Sequence, residues 1–220
     1  MKKRMLLLIT GLVVMLSALM AGFTPRLVED PPVEGKSEIV THEQQHFTPI
    51  KMISDTTKIR NLTVTRVFEA PVATVWKAWS DSEHVMRWWG PSGFTSPVAR
   101  MDFREGGKSL VCMRAPKEFG GQDMYNTWTY RKIVPLQIIE FILHFSDKDS
   151  NKLDPAKMGL PPGIPQDVPH VITFKSIDGG KTEMTITEYG YTTDQAHDLS
   201  KAGLEQSLDK MAASFKAAAQ

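Results

Sequence analysis

The chain has 220 residues, with 26 lysines and arginines against 25 aspartates and glutamates, a formal net charge of +1. Apart from Lys2, Lys3 and Arg4 its cations are spread along the chain, which argues against the basic patch a nucleic-acid partner requires. A single cysteine, Cys112, excludes an internal disulfide and a cysteine zinc site, so an apolar core must hold the fold.

The basic start Met1–Arg4 is followed by Met5–Phe23, a run without a charge. That is the order of an export signal. The exit is expected within Ser17–Gly22, where Leu19 and Ala21 occupy the small-residue positions and Leu fits poorly. The run also approaches the roughly 20 apolar residues that span a bilayer. Residues 1–23 therefore read as a cleaved signal peptide or as an uncleaved N-terminal membrane anchor, with the domain exported or held at the membrane. A true start at Met52 would instead leave it cytoplasmic. No cysteine follows the run, which excludes lipoprotein anchoring. Residues 24–57 hold Pro25, Pro31, Pro32 and Pro49 and no periodic apolar pattern, and read as a flexible linker. His42 and His46 have the helical spacing of zinc ligands, but with no third ligand beside them they read as solvated side chains.

The folded domain is expected over residues 58–220. Ile59–Phe68 is rich in β-branched residues, with Leu62 and Val64 on one face, and reads as a first strand. Pro71 opens a helix in which Val72, Val75, Trp76 and Trp79 recur at helical spacing. Asp81 is the expected N-cap of a second short helix, Ser82 to about Trp88, ended by Gly90-Pro91. Strands are then expected at Ser96–Phe103, Lys108–Ala115, Met124–Val134 and Gln137–Ser146. An irregular stretch, 147–169, carries Pro155, Pro161, Pro162, Pro165 and Pro169. Val171–Ile177 and Thr182–Tyr189 flank the turn Asp178-Gly179-Gly180 and read as a hairpin. Thr193 caps a final helix whose apolar stripe is Leu199, Leu204, Leu208, Met211 and Phe215. Ala202, Gly203, Ala212 and Ala213 would keep that helix slim against a sheet. A block of strands with helices at its ends argues for α+β with an antiparallel sheet of about seven strands, curved around the long C-terminal helix.

One helix cannot fill the concave side of so wide a sheet. Bulky or adaptable side chains would line what remains: Trp76, Trp79, Trp88 and Trp89 from the short helices, and Met113, Trp128, Tyr130, Phe141, Leu143, Phe145, Phe174 and Met184 from the strands. Leu204, Leu208 and Met211 face them from the last helix. Such an apolar pocket would take a small apolar molecule or lipid. From pattern alone, a fully packed core without a void competes with this reading.

Catalytic patterns are weak. Cys112 lies in the apolar run Leu110–Met113 with no basic neighbour to activate it, and reads as a buried core residue. Glu140 and His144 share one strand face, either as a polar pair inside the pocket or, the favoured reading, outside with Phe141, Leu143 and Phe145 inside. His170 reads as structural. Asp147 and Asp149 beside Lys148 read as a solvated loop. Gly106-Gly107 and Gly120-Gly121 lack the phosphate-loop pattern. No cofactor or metal site is indicated. Val134, Ile138 and Ile142 would leave an apolar patch on the outer sheet, a weak pointer to a homodimer or a protein partner.

Several stretches resemble one family. They are Phe68-Glu69-Ala70-Pro71 through Trp79, His84 through Trp88-Trp89-Gly90-Pro91, Phe103-Arg104-Glu105-Gly106-Gly107, Tyr130 through Pro135, and Gly159 through Pro165. Together they are similar to START-like, or helix-grip (SRPBCC), proteins, and within these to the activator of heat-shock ATPase homologue-like (AHSA-like) branch. The resemblance spans about Ile59 to Phe215. It implies the helix-grip fold and a hydrophobic cavity between the sheet and the C-terminal helix. Members include ligand carriers, cyclases and a branch that stimulates a heat-shock chaperone. The expected function is therefore non-catalytic binding of a small hydrophobic ligand or lipid. The alternatives are a chaperone-activator-like interaction protein, and a cyclase or hydrolase using polar groups such as Glu140, His144 or Tyr130.

Overall fold

A computed structural model of the chain describes residues 58–217. The leader, the linker with His42 and His46, and the alternative start at Met52 lie outside the described residues. In chain order the elements are strand β1 (Arg60–Phe68), helices α1 (Val72–Ser80) and α2 (Ser82–Trp88), strands β2 (Thr95–Arg100), β3 (Lys108–Arg114), β4 (Asp123–Val134), β5 (Ile138–Ser146), β6 (Asp167–Ile177) and β7 (Lys181–Tyr191), and helix α3 (Asp194–Ala217). The strands form one seven-stranded sheet in the order β1-β7-β6-β5-β4-β3-β2, with every pairing antiparallel. This is the helix-grip α+β architecture expected from the sequence. Among the described residues no helix is long and apolar enough to cross a membrane.

Local chemistry sets the element boundaries. Asp81 caps α2 by accepting a hydrogen bond from the His84 backbone N–H at 3.2 Å. Thr193 caps α3 through its hydroxyl, which accepts from the Ala196 N–H at 3.1 Å. Pro71 is the N-cap of α1 rather than its first helical residue. Gly107 folds so tightly that a β-carbon there would stand 2.2 Å from the Asp102 carbonyl oxygen, and its own carbonyl accepts from Tyr130 N–H.

Two expectations change. β2 ends at Arg100, short of Phe103, because Asp102–Gly107 turns inward and pairs with Tyr130 instead. β6 starts at Asp167 rather than Val171, so Pro169 lies within it. The proline is tolerated because β6 pairs with β7 only from His170 onward, which leaves Asp167–Pro169 joined to β5 alone.

Strand alternation puts Ser109, Val111, Asn126, Trp128, Tyr130, Phe141, Leu143, His170, Ile172, Phe174, Met184, Ile186, Glu188, Leu62 and Val64 on the concave face, nearly all buried. The long helix α3 lies along β1 and touches β7 and α2, while α1 packs on β6 and β7, and α2 on β2. Ala196, Leu204, Ser207, Leu208 and Met211 form the buried side of α3. Ala202 and Ala213 are exposed and Gly203 adjoins open space, so those small residues do not provide the close approach expected of them.

Candidate functional site

Four of the five tryptophans meet in a closed ring on the concave side. Trp79 contacts Trp88 at 4.6 Å between ring centroids, Trp88 contacts Trp89 at 5.5 Å, Trp89 contacts Trp128 at 4.8 Å, and Trp128 returns to Trp79 at 5.8 Å. Three of the contacts are edge-to-face, the arrangement the indole quadrupole favours. The ring has three sources. Helix α1 supplies Trp79, the end of α2 and the residue after it supply Trp88 and Trp89, and β4 supplies Trp128. Phe141 stacks beneath Trp128 at 5.1 Å and touches Tyr130 at 6.1 Å.

The indole N–H groups divide the ring. Trp79 Nε1 donates to the Met184 sulfur at 3.3 Å, and Trp88 Nε1 to the Ala78 carbonyl at 2.8 Å. Trp89 Nε1 and Trp128 Nε1 are buried and have no hydrogen-bond partner among the described residues, and Asn126 Oδ1 shares that condition. The three side chains are neighbours on the concave face. Asn126 and Trp128 are neighbours on the concave face of β4, and sheet pairing sets Asn126 between Val111 and Phe145, and Trp128 between Ser109 and Leu143. Trp89 rests on Trp128, while a β-carbon on Gly90 would lie 3.0 Å from Met113 Cβ, in the next row beyond Asn126. The Trp89-Gly90 backbone therefore passes over the Asn126 row. The fourth buried atom without a partner, Ser146 Oγ, lies on the other strand parity at the end of β5, opposite Lys152.

Helix α3 latches this loop. Lys210 Nζ donates to the Gly90 carbonyl at 2.9 Å and the Phe94 carbonyl at 2.8 Å, with the Pro91 carbonyl at 3.5 Å. One turn earlier, Gln206 Oε1 accepts from the Ser92 N–H at 3.1 Å. Burial lowers the Lys210 amine to about 8.

The opposite end of the concave face holds a second polar group. His170 stacks on Phe141 at 4.6 Å, Nδ1 faces the Val168 carbonyl at 2.8 Å, and Nε2 lies 3.2 Å from Glu188 Oε1. Both ring nitrogens face acceptors. Tyr191 donates its hydroxyl hydrogen to the other Glu188 oxygen. Burial pushes the Glu188 carboxyl up, but the facing His170 charge and the bonds from His170 and Tyr191 outweigh it and hold it below the usual carboxylate range. Burial and the adjacent carboxylate push the Tyr191 phenol well up. Every polar atom of this cluster has a protein partner.

The structure thus joins Trp79, Trp88, Trp89, Trp128, Tyr130, Phe141 and Met184 of the expected lining. Met113 stands beside Gly90, and Leu143 beside Trp128. Trp76 leaves the ring and packs with Phe103 and Phe174 at 5.6 and 5.2 Å. Leu204, Leu208 and Met211 join the core from α3, which lies along β1. Glu140 and His144 lie on the outer face, paired with Lys132 at 3.9 Å and Asp167 at 2.7 Å. Cys112 is buried, and burial raises its thiol to about 11. Among the described residues no group of three metal-ligating side chains converges. Sequence reasoning missed Asn126, Glu188, Tyr191, Gln206 and Lys210. Strand period alone could have found the first two, since Asn126 falls in step with Trp128 and Tyr130, and Glu188 with Met184 and Ile186.

The family described as Activator of Hsp90 ATPase homolog 1-like protein matches residues 69–216, most of the chain. The chain belongs to that family. Its fold recurs in solved structures, one of them named AHSA1. The AHSA1 protein of Silicibacter pomeroyi is 19% identical with a TM-score of 0.57, over 71% of this chain and 98% of that one. A Mycobacterium smegmatis protein is 24% identical with a TM-score of 0.57, over 73% and 90%. A Chromobacterium violaceum protein is 26% identical with a TM-score of 0.56, over 70% and 94%. Among curated proteins, none matches this sequence. For this member of the Activator of Hsp90 ATPase homolog 1-like family, the motif Trp88-Trp89-Gly90-Pro91 now has a physical role. It brings two indoles and a bare backbone down onto the sheet, where a side chain at position 90 would collide with Met113 and Phe94.

Proposed function

We propose that this domain binds a small, largely apolar molecule on the concave face beneath Trp89, between β3–β5 and the loop that follows α2, without transforming it. One observation carries the reading. Trp89 Nε1, Trp128 Nε1 and Asn126 Oδ1 are buried in an aromatic wall with no partner among the described residues. A buried polar atom left unmatched costs about 1–3 kcal/mol, so three on neighbouring side chains favour a guest that completes them. Aromatic side chains with a few polar atoms are the usual lining of small-molecule sites. The latch from Gln206 and Lys210 would let the covering loop part without disturbing the sheet.

The test is native mass spectrometry of the purified full chain, followed by calorimetric titration with a panel of hydrophobic metabolites. A co-purifying organic mass, or saturable binding that Trp89→Ala weakens, is expected. An experimental structure with the face below Trp89 packed solid by the protein's own side chains would end the proposal.

A further inference from the structure

We infer that the polar end of the bound molecule is a hydroxyl group, making the ligand an apolar alcohol or phenol held by Trp89, Asn126 and Trp128; this rests on the binding role proposed above. The unmatched atoms are two donors and one acceptor, since an indole N–H only donates and an amide oxygen only accepts. A hydroxyl oxygen accepts two hydrogen bonds and donates one, the complement of two donors and one acceptor. Other polar ends match fewer. A ketone or ether accepts from the indoles but leaves Asn126 Oδ1 unmet. An ammonium group donates to Asn126 and leaves both indoles unmet. A carboxylate would set a negative charge against the Asn126 oxygen, while Lys210, the α3 cation that holds the covering loop, already donates to the Gly90 and Phe94 carbonyls.

The surroundings suit the rest of such a molecule. Val111, Phe145 and Leu143 flank Asn126 and Trp128 along the sheet, and Met113 with Met124 form the next row. Two methionines side by side give a wall that reshapes around ligands of different outline. The pair His170–Glu188 is separated from this end by the Trp128–Phe141 stack, and its polar atoms are engaged. The hydroxyl is thus the part the protein reads closely, and the apolar body the part it accommodates.

The experiment titrates the full chain by calorimetry with two matched series: 1-decanol, 2-decanone and decylamine, and 2-naphthol with 2-methoxynaphthalene. The hydroxyl member should bind about ten-fold more tightly than its acceptor-only partner in at least one series, as one added buried hydrogen bond predicts. Asn126→Leu should bring alcohol and ketone, or phenol and ether, to within about two-fold of one another by removing the acceptor. Trp89→Phe, which keeps an aromatic ring but removes the N–H together with the second ring, should weaken alcohol and ketone alike and serves if Asn126→Leu does not fold. Hydroxyl members that bind no more tightly than their acceptor-only partners in both series overturn the inference, because an Asn126 amide turned over would then present a third donor. Binding of every probe without preference also overturns it, and identifies a site whose polar atoms are met by retained water, while leaving the binding role intact. No binding by any member of either series overturns both.

Discussion

The two ends of the concave face solve the same problem in opposite ways. Under α3, at β1, β7 and β6, polar groups are buried but complete one another: His170 with Glu188 and Val168, Glu188 with Tyr191, and at the rim Arg66 with Asp209 and Arg60 with Asp194. Under the Trp89 loop, at β3, β4 and β5, the polar atoms are fewer and three of them have no partner among the described residues. The first arrangement fixes one structure, because each atom's bond depends on its neighbour's position. The second is an unfinished network, which is costly in a core but useful in a receptor. The lesson is that burial alone does not distinguish the two ends of this fold, whereas completeness of hydrogen bonding does.

The sharpest way to break the contrast is to remove half of the completed pair. Glu188→Ala should lower stability by about 3–5 kcal/mol in urea unfolding, because it breaks a buried pair and leaves His170 and Tyr191 without their shared partner. A loss below about 1 kcal/mol would show that the ends are not different in kind. Acid probes the same pair with a definite sign. The Glu188 carboxyl titrates below its ordinary 4.5 in the folded state, so its contribution is present above that pH and drains away as pH falls through the folded value. Wild-type stability should therefore drop on acidification below about 4.5, and Glu188→Ala should lack that part of the drop.

Asn126→Leu tests the other end and should have the opposite sign. With no guest bound, exchanging an unmatched amide for an apolar side chain of similar volume should raise stability by about 1–3 kcal/mol in the same assay. A loss of that size would mean the amide is already served by the protein. Next comes the latch between the two ends. Lys210→Met keeps the aliphatic stem but strips the donors from Gly90 and Phe94, and should cost about 1–2 kcal/mol. Its clearer readout is amide exchange, which should speed up at residues 92–94 and stay unchanged in β6 and β7. The smallest effect belongs to the rim. Asp209→Asn should cost at most about 1 kcal/mol, and added salt should erase the difference, since Asp209 is well exposed.

Much of the frame was readable in the chain because its signals are local and periodic. The α2 cap needed only Asp81 before an apolar run, and the β6–β7 turn only Asp178-Gly179-Gly180. The alternation of Glu140 and His144 with Phe141, Leu143 and Phe145 correctly placed the polar pair outside. Legibility failed where a residue's role depends on distant partners. Pro169 was read as ending a loop, because its tolerance depends on where β7 stops pairing. Glu188 and His170 are 18 positions apart in number but directly opposed across two strands. Lys210 flanks an apolar stripe and looks like an ordinary solvated lysine until the loop after α2 is folded under it. Trp76 fits the helical stripe of α1 as well as Trp79 does, yet the turn that carries Phe103 draws it out of the ring.

The tryptophan ring has a practical consequence. Four indoles in mutual contact share their excited states, so the near-ultraviolet spectrum of this protein should be a property of the group rather than a sum of independent chromophores. Any molecule that slides beneath Trp89 must alter its orientation to Trp128, and with it the coupling among all four. Under the proposed binding role, the protein would contain its own optical gauge of occupancy, readable by circular dichroism without a dye, a label or an added reporter.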